Sequence, residues 1–197
     1  MTDGPAHDDA TQTEEASPPR PRLIWVTVGV ALGVIVVDQV TKALALAHLQ
    51  PRIYGGGEPI EVLGPVLRLT FTENTGAAFG LGAGFTWVFA LIALAVAFVI
   101  LRTARRLGSV AWAIALGGLL GGALGNLIDR LIRPPGIGEA YAGPGQGYVV
   151  DFLQLPNWPI FNVADMAIVG SAILMVLLTI RGVELTGKPA AGVAADA

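Results

Sequence analysis

Four stretches of this chain are long and apolar enough to cross a lipid bilayer, and no other feature constrains its fold so strongly. They run from about Leu23 to Leu49, Phe85 to Leu101, Val110 to Ile132 and Ile160 to Ile180. Each is near the roughly 20 residues that a helix needs to traverse the hydrocarbon core. Backbone N–H and C=O groups find no water there, so only helices or closed barrels can span it. Barrel strands would be shorter and alternating, so the expected fold is an all-α membrane protein with four transmembrane helices. Composition agrees, because only 14% of residues are charged where soluble domains average about 25%.

The segments outside the spans are short. Residues 1–21 are polar, acidic and proline-containing, and are expected to be a disordered tail. An acidic start followed by a long apolar stretch does not fit a cleavable secretory signal, so the first span is expected to be retained. Residues 22–181 then form one four-span domain, and 182–197 a second disordered tail. Basic residues set the orientation. Arg20, Arg22, Arg102, Arg105, Arg106, Arg181 and Lys188 fall on one side, which is expected to be cytoplasmic together with both termini. The other side carries Arg52, Arg68 and Arg133, with Lys42 and Arg130 at span ends.

Two outer connections read differently from one another. Val66–Asn74 alternates, with Leu67, Leu69 and Phe71 on one face and Arg68, Thr70 and Thr72 on the other. That period of two predicts a strand in a small sheet on the outer surface. In Pro134–Gly147, eight of fourteen residues are Gly or Pro, which predicts a flexible loop leading directly into Tyr148–Leu153.

The polar residues inside the spans converge on that outer side. Charges within a bilayer are costly and usually functional. Asp38 and Lys42 lie late in the outward-running first span, at the i, i+4 spacing that lets them pair. Asn126, Asp129 and Arg130 end the outward-running third span; Asn162 and Asp165 begin the inward-running fourth, with Asp151 just before it. Gly117, Gly121 and Gly125 recur every four residues, as do Gly118 and Gly122, a pattern that allows close helix packing. Extending the second row by fours reaches Asn126 and Arg130.

A purely structural role, with ion pairs and hydrogen bonds locking the helices, accounts for Asp38 with Lys42 and Asp129 with Arg130 as well as a functional role does. Asp151 and Asp165 have no cation near them in sequence. Two unpaired carboxylates in a low-dielectric setting can share a proton, so that one acts as base and the other as acid. A proton-linked transporter or a non-catalytic scaffold would also use membrane acids. A relay needs polar groups through the whole bilayer depth, however, and the cytoplasmic halves of these spans are almost purely apolar. The absence of cysteine removes thiolate catalysis and Cys-based metal sites, and His7 and His48 stand apart from any ligand cluster, so no metal or cofactor is expected. Nothing basic enough to suggest nucleic acid is present, at a net charge of −3.

Five blocks, in order, resemble the lipoprotein signal peptidases (signal peptidase II). They are Asp38-Gln39-Val40-Thr41-Lys42, Glu73-Asn74-Thr75-Gly76-Ala77-Ala78-Phe79-Gly80, Gly125-Asn126-Leu127-Ile128-Asp129-Arg130, Val149-Val150-Asp151-Phe152 and Phe161-Asn162-Val163-Ala164-Asp165. The resemblance covers about Leu23 to Ile180. It implies an aspartyl peptidase of the bacterial cytoplasmic membrane that acts at the outer face on diacylglyceryl-modified prolipoproteins, cutting just before the lipidated cysteine. It also implies that Asp151 and Asp165 are catalytic, while Asp38, Lys42, Asn74, Gly76, Asn126, Asp129, Arg130 and Asn162 support substrate and dyad. The outer strand then resembles the family's periplasmic sheet. The lipid bilayer and the prolipoprotein are the implied partners, and the expected state is a monomer. Pro134–Gly147 is longer than the family's pattern leads one to expect, which leaves open whether it forms a lid or loops away.

Overall fold

A computed structural model of the chain describes residues 22–76 and 86–187. Residues 1–21, the Ala77–Gly80 part of the second block, Phe85 and residues 188–197 lie outside the described residues, whereas 182–187, the start of the expected second tail, are described, with the Leu185 carbonyl accepting from the Gly108 N–H. Helix α1 (Arg22–Leu44) passes through a wide π-helical turn (Ala45–Leu49) into α2 (Gln50–Tyr54). Strands β1 (Ile60–Glu61) and β2 (Arg68–Asn74) follow, then α3 (Thr86–Ala104), α4 (Val110–Ile132), β3 (Val149–Gln154) and α5 (Val163–Ile180). Four helical segments meet the length and hydropathy of a membrane span, at Leu23–Tyr54, Thr86–Ala104, Val110–Ile132 and Val163–Ile180. Exposed Val36, Val40, Phe98, Val169 and Val176 line their outward faces, as lipid-facing side chains should. The molecule is a multi-pass membrane protein.

The third span has the expected bounds. The first is longer than expected, continuing past Leu49 to Tyr54. Pro51 lacks an N–H and would press on the carbonyl of residue 47 in a regular helix; the wide turn lies immediately before it and lets the helix carry on. The fourth span starts at Val163 rather than Ile160, because Phe161 still pairs with Leu153 as an extension of the sheet.

Helix α4 is the central helix, packed by α1, α3 and α5. Its glycines explain how. Gly117 and Gly121 lie against the Thr27 and Ala31 carbonyls of α1, so near that an added Cβ would stand 2.7 Å from each oxygen. Gly118 and Gly122 face Ser171 and Ala164 of α5. The two rows serve two different helices. Continuing by fours, the first leads through Gly125, set against the Asp38 carboxylate, to Asp129, and the second leads to Asn126 and Arg130.

The sheet is antiparallel, in the order β1-β2-β3. It sits at the end of the bundle where α1 turns into α2, over a cluster of Ala45, Leu49, Phe71, Tyr148, Val150 and Phe152. Leu69 pairs with Leu153 but Thr72 pairs with Asp151, so three steps on β2 match two on β3 and one residue is bulged. The strict alternation read from the sequence therefore fails beyond Leu69. Thr70 and Phe71 are consecutive and both buried.

Candidate active site

Every charged or amide residue singled out in the spans lies at this sheet-bearing end. Lys42 is wholly buried, and its ammonium has three acceptors at 2.9 Å: Asp38 Oδ2, Asp129 Oδ2 and Asn126 Oδ1. An ammonium has three protons, so the group is fully satisfied. Asp38 Oδ1 also accepts from the Ala164 N–H in the first turn of α5, at 3.0 Å. Asp129 accepts from the Val150 N–H of β3 and forms an ion pair with Arg133 at 3.0 Å. Helices α1, α4 and α5 and strand β3 are tied together through these charges.

One pairing departs from expectation. Asp129 takes Lys42 and Arg133 as partners, not Arg130. Neighbours in sequence point in different directions on a helix, whereas residues four apart share a face. The spacing that paired Asp38 with Lys42 also connects Asp129 to Arg133, and that was the usable signal. Arg130 instead donates to the Gly76 and Asn126 carbonyls and lies 5.5 Å from the Phe89 ring centre. Among the described residues its Nε has no partner. Gln39, which is not among the expected site residues, donates to Asp38, Asp129 and the Gly125 carbonyl.

Among the described residues, Asp151 and Asp165 are held by asparagines alone. Asp151 Oδ1 accepts from Asn162 Nδ2 at 2.6 Å, and its Oδ2 accepts from Asn74 Nδ2 at 2.8 Å. Asn74 Oδ1 accepts in turn from the Gly76 N–H at 3.0 Å, which fixes the amide's orientation. Asp165 Oδ1 accepts from Asn126 Nδ2 at 2.8 Å. Asn162 caps α5 reciprocally: its Oδ1 accepts from the Asp165 N–H, and Asp165 Oδ2 accepts from the Asn162 N–H. One asparagine therefore touches both acids. Among the described residues neither acid forms an ion pair, while Asp38 and Asp129 each do.

The electrostatics follow from that arrangement. Asp151 is 1% exposed. Burial pushes its carboxyl up to about 7, and the negative charge of Asp165 adds to the effect; the Asn74 and Asn162 hydrogen bonds and the charge of Lys42 oppose it. A carboxyl of this kind exchanges its proton near neutrality, as general acid–base chemistry requires. Asp165 is only half-buried, so the pair is reachable from one side. From Asn126 and Arg130, a cavity of about 220 Å³ runs between α3 and α5 over α4, lined by Phe89, Ile92, Val96, Leu119 and Ile168.

These features define a membrane enzyme class with a cation-free carboxylate pair at one end of a helical bundle. Residues 30–181 match the family model described as signal peptidase (SPase) II, and the chain belongs to that family. It is 43% identical over 184 residues to a lipoprotein signal peptidase of Mycobacterium tuberculosis, covering 90% of this chain and 85% of that one. It is 46% identical over 179 residues to one from Leifsonia xyli, covering 88% and 77%. The fold is similar to that of a bacterial membrane enzyme solved by the in meso method at 2.3 Å, with a TM-score of 0.65 and 27% identity over 80% of this chain and 88% of that one.

Proposed function

We propose that this protein removes the signal peptide from diacylglyceryl-modified prolipoproteins by aspartyl-type hydrolysis, with Asp151 and Asp165 as the catalytic pair. The observation that carries the reading is the division among the four acids. Lys42 and Arg133 neutralise Asp38 and Asp129, whereas among the described residues Asp151 and Asp165 have only amide partners. One carboxylate of the pair, ionised, takes a proton from water; the other, protonated, donates to the scissile carbonyl. Addition of the resulting hydroxide gives a tetrahedral diol; the carboxyl that took the proton from water then gives it to the leaving nitrogen as the C–N bond breaks, and a diol hydroxyl returns a proton to the other carboxylate, which restores the pair.

The apolar cavity between α3 and α5 supports the substrate class. It suits a hydrophobic signal segment, and it ends at Asn126 and Arg130, where a peptide backbone meets hydrogen-bonding groups. The Arg130 Nε, which has no partner among the described residues, and the amides of Asn74, Asn126 and Asn162 supply those groups, with Gly76 giving Arg130 its anchor. Acyl chains on the substrate remain in the leaflet beside the bundle. The start of α1, the α3–α4 connection and the residues after α5 gather at the opposite end, where Leu23 packs near Leu107 and Trp112 donates to the Val183 carbonyl. That end carries Arg102, Arg105, Arg106 and Arg181, and we assign it to the cytoplasm, with the site at the outer face of the bacterial cytoplasmic membrane. All the proposed site residues come from one chain, so a monomer suffices.

The test is conversion of a diacylglyceryl-modified precursor to its mature gel mobility by purified protein. Asp151→Asn and Asp165→Asn are each expected to lower the rate by at least about 100-fold while the protein remains inserted. Normal processing by either variant, or loss of wild-type cleavage on adding a chelator, would overturn the dyad.

A further inference from the structure

We infer that Glu73 is a positioning residue: it fastens the 134–147 loop and the end of the first span to the strand that carries Asn74, and so holds Asn74 against Asp151. The inference rests on the dyad reading above. Its starting point is the bulge in β2, which puts Thr72 and Asn74 on the face of Asp151 and Glu73 on the other. There the Glu73 carboxylate is fully used. Its Oε1 accepts from the Tyr54 hydroxyl at 2.5 Å, and its Oε2 accepts from the Ile137 N–H at 2.8 Å. Tyr54 is the last residue of α2 and also meets Phe71 of β2 edge-on, with ring centres 5.6 Å apart.

The loop on the other side of this contact is anchored at both stems and at Ile137. Its stems are joined by the Tyr148 N–H to the Pro134 carbonyl, and Gly145 and Gly147 both donate to the Arg130 carbonyl. Gly147 fits only as glycine, because a Cβ there would lie 2.5 Å from the Asp129 carbonyl. Gly145 lies against Trp87 and Ala90 of α3. Ile137 is the point at which this strap reaches β2, and Glu73 is what it reaches. The residue after Glu73 is Asn74, whose amide holds Asp151 at 2.8 Å. A misplacement of about 1 Å at such a contact is enough to slow chemistry strongly. The loop is thus a brace across the outer ends of α3, α4 and β2, and Glu73 is its fastening to the catalytic strand.

Steady-state cleavage of the lipidated precursor and hydrogen exchange on the substrate-free protein test this together. Glu73→Ala is expected to lower kcat about 10-fold with KM within about 2-fold, and to speed exchange at the Ile137 amide about 10-fold. Glu73→Gln retains both contacts, since its oxygen accepts from Ile137 and its NH2 donates to the Tyr54 oxygen; it should restore most of kcat. In an Asn74→Ala background, Glu73→Ala should add less than about 2-fold, because the two act in series. Tyr54→Phe, which removes one bond only, gives a smaller loss in the same direction and replaces Glu73→Ala if that variant does not fold. Unchanged kcat, Gln as harmful as Ala, or a full further loss beside Asn74→Ala would each overturn the proposal. The exchange result stands apart from the substrate: slow exchange at Ile137 in Glu73→Ala sinks the fastening even if the substrate class is right, and absence of wild-type cleavage sinks the substrate class alone.

Discussion

At the residue scale, the acids differ in the company they keep. Asp151 has an ordinary carboxyl value of 3.8 when unfolded and about 7 when folded, burial being the main cause. Below pH 4 both states hold the proton and the group costs nothing. As pH rises from 4 towards 7 the unfolded chain ionises first, so stability falls, and above 7 the full penalty is present. Asp151→Asn removes it, by on the order of 4 kcal/mol at most, less whatever hydrogen bonding the amide loses. The expected outcome is a melting temperature for Asp151→Asn that gains on the parent between pH 4 and pH 7 and levels off above it. A constant difference across that range would mean that the carboxyl is not held in its protonated form. Sequence distinguished these acids from the others because ion pairs between helical residues leave a spacing. It misplaced Arg130 because adjacency leaves none, and it could not see Asn74 meeting Asp151, a contact across 77 positions set by strand register.

At the scale of elements, α4 was the most legible part, since glycines every four residues announce a helix others approach closely. Which row serves which neighbour was not legible, because that depends on how the four helices are arranged around it. The division makes a specific prediction. Gly121→Val places a side chain where a single Cβ already stands 2.7 Å from the Ala31 carbonyl and 2.7 Å from Val34 Cβ. The backbone of α1 must shift, at a cost of about 1–3 kcal/mol, and Asp38 and Lys42 shift with it. Thermal unfolding in detergent should show the loss, with activity falling further than stability alone explains. Gly29→Ala and Gly33→Ala on α1, which have nothing within 4 Å, should leave both unchanged. The strand was the least legible element. Period-two reading found β2, but a bulge adds one residue without any change in composition, and it puts Thr72 on the face of Leu69 rather than opposite it.

At the scale of the molecule, four spans and the gathering of polar groups at one end followed from hydropathy and basic residues alone. The brace formed by residues 134–147 did not, because its contacts are made by backbone groups that carry no sequence signature. Orientation is open to direct measurement, since the chain has no cysteine of its own. A single cysteine at exposed Glu139 should react with a membrane-impermeant thiol reagent in intact spheroplasts, and one at exposed Arg105 only after the membrane is opened. The reverse pattern would invert the proposed topology.

The buried ammonium of Lys42 also has a history imposed by synthesis. Its partner Asp38 is four residues away and enters the bilayer with it, but Asn126 is 84 residues later in the chain. While α3 and α4 are still being made, a positive charge sits in the first span with one acceptor out of three. Until α4 arrives, the first span therefore holds a charge-paired ammonium with two of its three protons lacking the acceptors that Asn126 and Asp129 later supply. The finished enzyme hides that group completely.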